Sequence, residues 1–144
     1  MKNKQLSAIA MVLTLTFALF GCSINRYNNN VRVGKWITVY NLDKVIYKRV
    51  EHYKRGRERG TCKVYANHVL ESKEKYRKDT CYTTFYYPDG KISSTGRSTK
   101  KRELDGSLHW YYVGDWMYYD KNGKLELIRN YLNGMETKEI EIHK

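Results

Sequence analysis

The sequence has only one proline and four scattered histidines among 144 residues. There is no His-Glu-x-x-His pair, Gly-rich phosphate loop, nucleophile elbow or Asp-rich metal loop. His109 beside Trp110 and Asp115 is the one group that an acid–base site could use, and a polar strand residue accounts for His109 equally well. We therefore expect no enzyme, no catalytic residue, no metal and no cofactor.

The N-terminus begins with two lysines and an almost uncharged stretch, residues 6–20. This pattern is typical of an export signal, and the stretch is too short for a comfortable permanent span, which needs about 20 apolar residues. The quartet LFGC, residues 19–22, resembles the bacterial lipobox, in which the cysteine is diacylated and becomes the new N-terminus. We expect residues 1–21 to be a lipoprotein signal peptide and Cys22 to carry the lipid, since several acyl chains hold a protein on a membrane far better than one. The alternative is an uncleaved anchor.

Residues 22–32 are predicted to be the lipidated N-terminus and a short polar tether, and residues 33–144 to be one domain. Ser23 takes the place of the aspartate that often marks inner-membrane retention. We therefore expect a cell-envelope location, lipid-anchored to the outer membrane and facing the periplasm. Loss of the signal removes two lysines and leaves 25 of the 27 basic residues against 15 acidic ones.

The mature chain would keep two further cysteines, Cys62 and Cys81. In an oxidising compartment an even number of cysteines is expected to pair, so a Cys62–Cys81 disulfide is the prediction. Two unpaired buried thiols or a metal pair remain the alternatives, although no histidine lies at ligand spacing beside either cysteine.

Turn signals and alternating residues dominate the segment VGDWMYYDKNGKLELIRNYLNGM, residues 113–135. Asn122-Gly123 and Asn133-Gly134 supply the positive φ angles of tight hairpin turns, and the residues between them alternate as in a pleated strand. This segment is predicted to be a β-hairpin followed by a second turn.

The same skeleton recurs upstream in residues 33–56, and a shorter match covers residues 86–91. Gly60 begins a degenerate copy of the repeat, in which Cys62 takes the place of the tryptophan. Repeats of this length indicate an array of hairpins that are stabilised by stacking on their neighbours. In the two best copies the corresponding residues are Gly34, Trp36, Tyr53 and Gly56 in the first and Gly114, Trp116, Tyr131 and Gly134 in the second.

No segment after the signal shows a sustained helical period. We predict an all-β fold, an elongated and curved antiparallel sheet of repeated hairpins with no helical layer apart from the signal peptide. The aromatic core of such a sheet accounts for 14 tyrosines and 3 tryptophans, because tyrosine covers apolar area and keeps its hydroxyl in water. The predicted core residues are Trp36, Trp116, Tyr119 and Tyr131.

The pattern Gly-x-Trp-x-x-Tyr, Asn-Gly-Lys-Leu and Tyr-x-Asn-Gly, as it stands in residues 114–134, resembles the bacterial variant of the MORN repeat. Many bacterial proteins of this kind are labelled YwqK-type antitoxins, and some are lipoproteins. The resemblance implies a hairpin-repeat sheet and a binding role, and it transfers no catalytic residue.

The basic surplus is concentrated in residues 47–60 and 96–103. Its simplest role is solubility and protection of sheet edges, whereas arginine interleaved with tyrosine is also typical of interface hot spots and of nucleic-acid grooves. The expected compartment favours an acidic protein or anionic lipid headgroups as the partner over nucleic acid. The predicted partner-binding residues are Tyr53, Arg55, Arg57, Arg59, Arg97, Lys100, Lys101 and Arg102.

Together these observations predict a monomeric, membrane-tethered, non-catalytic binding lipoprotein. The first hypothesis is an immunity or antitoxin-like protein whose basic, tyrosine-rich sheet face covers a toxin. The alternative is a structural or adaptor lipoprotein that uses the same face on an envelope partner or on anionic phospholipid.

Overall fold

The computed structural model describes residues 23–142, and these residues form one antiparallel sheet of 11 strands without a helix. The predicted all-β fold is thereby confirmed. No helix within this range is long and apolar enough to cross a membrane. The predicted signal peptide and Cys22 lie outside the described residues. The strands are β1 (Arg26–Asn28), β2 (Val31–Leu42), β3 (Val45–Lys54), β4 (Arg57–Glu58), β5 (Gly60–Ala66), β6 (Val69–Arg77), β7 (Thr80–Tyr86), β8 (Ile92–Arg102), β9 (Leu108–Tyr119), β10 (Leu125–Leu132) and β11 (Met135–Glu141).

The strands follow one another across the sheet in chain order, except that the short β4 pairs with β3 and lies off this path. Each hairpin depends on a turn that tolerates positive φ, as the predicted turns at Gly123 (φ 86°) and Gly134 (φ 83°) show. β1 lies within the predicted tether, and Asn25 pairs with Ile37 through its side-chain amide. The predicted flexible tether, residues 22–32, therefore contains the strand β1 and the start of β2, which pair with each other.

The sequence repeat has a structural counterpart in the pairing of the hairpins. Three glycines with φ of 66–73° each begin a copy, and each lies opposite a tyrosine on the next strand. Two residues later a tryptophan, or a cysteine in the middle copy, lies on the inner face. The paired residues are Gly34 with Tyr53 and Trp36 with Glu51, Gly60 with Tyr76 and Cys62 with Glu74, and Gly114 with Tyr131 and Trp116 with Arg129.

The sheet is curved so that strands that are not neighbours approach each other across one face, here called the inner face. Arg49 on β3 reaches across β5 to Glu74 on β6, with 3.2 Å between Nη2 and Oε2. The rings of Tyr76 on β6 and Trp110 on β9 meet edge to face at 5.5 Å, although β7 and β8 lie between them. The inner face is therefore concave, and the opposite, outer face carries the alternate residues of each strand.

The core lies on the inner face. Trp116 is 1% exposed and Trp36 is 7% exposed, so both predicted core tryptophans are buried, and Tyr131 is half-buried beside Tyr112. Tyr119 was also predicted for the core, but it lies on the outer face, where its hydroxyl donates to Met117 Sδ. The reason is strand alternation: Trp116 points inward, so the residue three positions later points outward.

The predicted Cys62–Cys81 disulfide is not formed. Both cysteines are free thiols, and both are buried. Cys62 lies on β5 and Cys81 on β7, and β6 separates the two strands. Strands that are two places apart in a sheet are about 10 Å from each other, whereas a disulfide needs Cα atoms within about 7 Å. The alternative of two unpaired buried cysteines is the one that the structure supports.

Candidate functional site

The concave face contains a recess of about 410 Å³ near the turns that end β6 and β8, here called the basic hollow. Four cationic residues and two acidic residues line it, together with Tyr76 and Trp110. Its volume is within the range of about 300–1,000 Å³ that is usual for ligand pockets. The charged residues of the basic hollow are Arg57, Lys78, Lys100, Arg102, Glu58 and Asp79.

The short strand β4 pairs with β3 and borders the basic hollow. Lys100 Nζ on β8 lies 3.4 Å from Glu58 Oε2 on β4, and the same ammonium lies 5.1 Å from the centre of the Trp110 ring. Lys100 is thus held between a carboxylate and an aromatic face. The Glu58 carboxylate is already paired with Lys100, and the other charged residues of the hollow are three cations and one carboxylate. The hollow therefore carries a net positive charge.

Three of the predicted partner-binding residues meet in this hollow. Arg57 lies about 40 residues before Lys100 and Arg102 in the sequence, yet all three line the same recess. Arg55 and Arg59 are exposed beside it and border a second, more open hollow of about 530 Å³.

The other three predicted residues do not reach the basic hollow. Arg97 and Lys101 lie on the outer face, because they alternate along β8 with the inward-pointing Lys100, and the Arg97 guanidinium packs against Gly114. Tyr53 lies on the inner face at the first hairpin, where it accepts a hydrogen bond from Arg32 and donates one to Glu51. The prediction of a single basic and aromatic face is therefore wrong for Arg97 and Lys101, whereas Tyr53 shares the inner face but does not line the basic hollow.

A second recess of about 300 Å³, here called the aromatic hollow, lies farther along the inner face. Its walls include the rings of Phe85 and Tyr112, and it shares Tyr76 and Trp110 with the basic hollow. The small side chains on its floor are all buried: Cys81 is 3% exposed, Ser98 6% and Thr83 8%.

The charges beside the aromatic hollow are compensated internally. Arg49 forms ion pairs with Glu74 and Glu51, and the Tyr76 hydroxyl donates to Glu74 at 2.7 Å. Burial acts to lower the pKa of Arg49, but the carboxylates of Glu74 and Glu51 outweigh it and raise the pKa. Burial, reinforced by the Glu74 carboxylate, raises the pKa of Tyr76, so its hydroxyl stays protonated.

The thiols of this region are poor nucleophiles. Burial raises the pKa of Cys62 to about 11, and it raises the pKa of Cys81 as well. A reactive cysteine needs the thiolate, which both sites disfavour at neutral pH. Among residues 23–142 no cluster of three or more His, Cys, Asp or Glu side chains could hold a metal ion.

Sequence reasoning missed Lys78, Tyr76, Trp110 and the aromatic hollow. The segment around Lys78 matches the repeat poorly, and its turn has no Asn-Gly signal. Strand alternation would have placed Tyr76 on the inner face once Gly60 was aligned with Gly114. The curvature that joins β6 to β9 has no local signal in the sequence.

Comparison of the chain with protein-family models, with curated proteins and with solved structures finds no match. The resemblance to the MORN repeat therefore stays a prediction.

Proposed function

We propose that this protein is a non-catalytic binding lipoprotein of the bacterial cell envelope, and that it docks an acidic part of a protein partner in the basic hollow. The observation that carries this proposal is the convergence of Arg57, Lys78, Lys100 and Arg102 around Trp110. Buried aromatic rings bordered by arginine are typical of the residues that dominate interface energies. The proposed partner is a toxin, so that the protein acts as an immunity protein, and this choice of partner comes from the sequence resemblance.

Charge supports a partner of acidic surface. The whole chain carries a net charge of +12, and a positive field accelerates encounter with a negative partner. Rapid capture suits a protein that must bind a toxin before the toxin reaches its target.

The shape of the site favours a protruding protein segment over a flat lipid surface. The hollow lies on the concave side of the sheet, and the ion pair between Glu58 on β4 and Lys100 on β8 forms part of its wall. A phospholipid bilayer would first meet the exposed lysines of the outer face.

The proposal is tested by capture from native membranes with the full-length chain. The variant Arg57→Glu, Lys78→Glu and Arg102→Glu reverses three charges of the basic hollow. The matched control, Lys63→Glu, Lys75→Glu and Lys101→Glu, makes the same change in net charge with exposed residues of the outer face. Thermal unfolding of both variants shows whether each one folds.

We expect the unchanged protein and the outer-face control to retain one acidic partner that high salt releases, and the hollow variant to lose it. A secreted effector encoded nearby would identify the protein as an immunity protein, and an envelope-assembly protein would identify an adaptor. Equal loss in the two variants would refute the basic hollow as the site, because it would show that net charge alone attracts the partner. Retention of the partner by the hollow variant would refute the proposal too.

A further inference from the structure

The basic hollow and the aromatic hollow adjoin each other at the rings of Tyr76 and Trp110, which line both, and the two hollows together are here called the groove. The groove runs along the strands: on β8 it passes from Lys100 in the basic hollow to Ser98 in the aromatic hollow. Trp110 and Tyr112 on β9 lie opposite these two residues in the same order.

The aromatic hollow has the form of a receptor for one large apolar side chain. Its floor consists of the small residues Cys81, Thr83 and Ser98, and its walls rise to the rings of Phe85 and Tyr112. Small side chains below large rings leave a depression that no side chain of the sheet fills. An apolar anchor that enters such a pocket is the usual centre of an interface hot spot.

The two ends of the groove differ in charge. In the aromatic hollow the Arg49 guanidinium is already paired with the carboxylates of Glu74 and Glu51, so it is not free to bind an incoming carboxylate. The basic hollow has cations in excess. A ligand with an acidic group and an apolar group would therefore bind in one orientation.

We propose that the groove binds an extended peptide segment of the partner that carries an aromatic anchor and an acidic residue two positions away. This inference rests on the proposed function and specifies what the partner presents. Lys100 and Ser98 are two residues apart on one strand, which separates their positions by about 7 Å. Residues i and i+2 of an extended peptide have the same separation and point to the same side.

The test uses three blocked synthetic peptides and the full-length chain. The first is Gly-Glu-Thr-Glu-Thr-Phe-Gly, in which the anchor lies two positions after an acidic residue. The second replaces the Phe by Ser and keeps both acids. The third, Gly-Glu-Thr-Glu-Phe-Thr-Gly, exchanges the last Thr and the Phe. Its composition is unchanged, but the anchor now lies directly after a Glu. Titration calorimetry gives the affinity of each peptide at low salt.

We expect the first peptide to bind about tenfold more tightly than the other two, because one well-placed aromatic anchor contributes more than about 1 kcal/mol. In the variant Ser98→Leu, which fills the floor of the aromatic hollow, this advantage should disappear. The matched control Thr84→Leu adds the same side chain on the outer face and should keep the advantage. The peptide comparison on the unchanged protein decides the question even if Ser98→Leu does not fold.

The outcomes separate this inference from the proposed function. If the three peptides bind equally and the charge reversals in the basic hollow abolish binding, the anchor is refuted and the acidic docking site remains. If no peptide binds while the native partner is still captured through the basic hollow, the extended-segment inference is refuted. If neither peptide nor partner depends on the basic hollow, both proposals are wrong.

Discussion

Gly96 lies directly beneath the indole ring of Trp116. A Cβ atom on Gly96 would be 2.1 Å from Trp116 Cδ2 and 2.3 Å from Cε2, far inside any tolerable contact. The indole Nε1 donates a hydrogen bond to the carbonyl of Arg97, the next residue along β8. Glycine is therefore required at position 96 by the close approach of a ring and not by an unusual φ, and this contact fixes how β8 packs against β9.

Gly96→Ala should destabilise the protein by about 3 kcal/mol, because the added methyl forces the buried Trp116 ring to move. Thr95→Ala, one residue away on the outer face, should cost about 1 kcal/mol or less. Urea unfolding followed by tryptophan fluorescence measures both. Similar stabilities for Gly96→Ala and the unchanged protein would mean that the ring does not lie over Gly96.

Trp116→Ala should cost about 3–5 kcal/mol, the usual loss for a large buried aromatic side chain. The double variant Gly96→Ala, Trp116→Ala should be no less stable than Trp116→Ala alone, because the clash is gone once the ring is removed. Circular dichroism during urea unfolding provides the readout, since one tryptophan is lost. A cost below about 1 kcal/mol would show that the repeat alignment places the wrong residue in the core.

The repeat was readable from the sequence because its signals are local. The Asn-Gly turns and the spacing from Gly114 to Trp116 depend on φ and on strand alternation, and Gly34 and Trp36 reproduce them. The strand β1 was missed, because its formation depends on pairing with β2 and not on composition.

The proposed binding groove could be predicted only in part from the sequence, because curvature brings distant strands together. Arg57 and Lys100 border the same recess because curvature brings β4, which pairs with β3, close to β8. The disulfide prediction failed for a related reason. The turn at Lys78-Asp79 has no glycine, so nothing in the sequence shows that a whole strand separates Cys62 from Cys81.

Arg49 should stabilise the fold, because its positive charge neutralises the carboxylates of Glu51 and Glu74. Arg49→Met leaves Glu51, which is buried, and Glu74 without their cation, and we expect a loss of about 2 kcal/mol after allowance for the partial exposure of Arg49. Adding Glu74→Gln should recover part of this loss. The free energies of unfolding of the single and double variants check the prediction, and an additive cycle would contradict it.

Both inner-face thiols should remain reduced in protein prepared without a reductant. After unfolding in guanidinium, iodoacetamide should modify Cys62 and Cys81 completely, whereas in the folded protein both should react slowly because they are buried and protonated. Peptide mapping by mass spectrometry reports each site separately. A Cys62–Cys81 crosslinked peptide would show that the strand order differs from the one described.

The raised pKa of Cys62 predicts a loss of stability at alkaline pH. Burial raises the pKa of this thiol from 9.0 to about 11. Below pH 9 both folded and unfolded chains hold the proton, so the stabilising contribution is fully present. Between about pH 9 and pH 11 the unfolded chain releases its proton first, and stability falls by about 2–3 kcal/mol.

Cys62→Ala removes this titration and should show a shallower decline of unfolding free energy between pH 9 and pH 11. Tyr76 and Cys81 also have raised pKa values, and they stay in both proteins, so the difference between the two curves isolates Cys62. Urea unfolding at half-unit pH steps measures both curves. Parallel curves would mean that the Cys62 thiol ionises equally easily in the folded and unfolded chains, and hence that it is not buried as described.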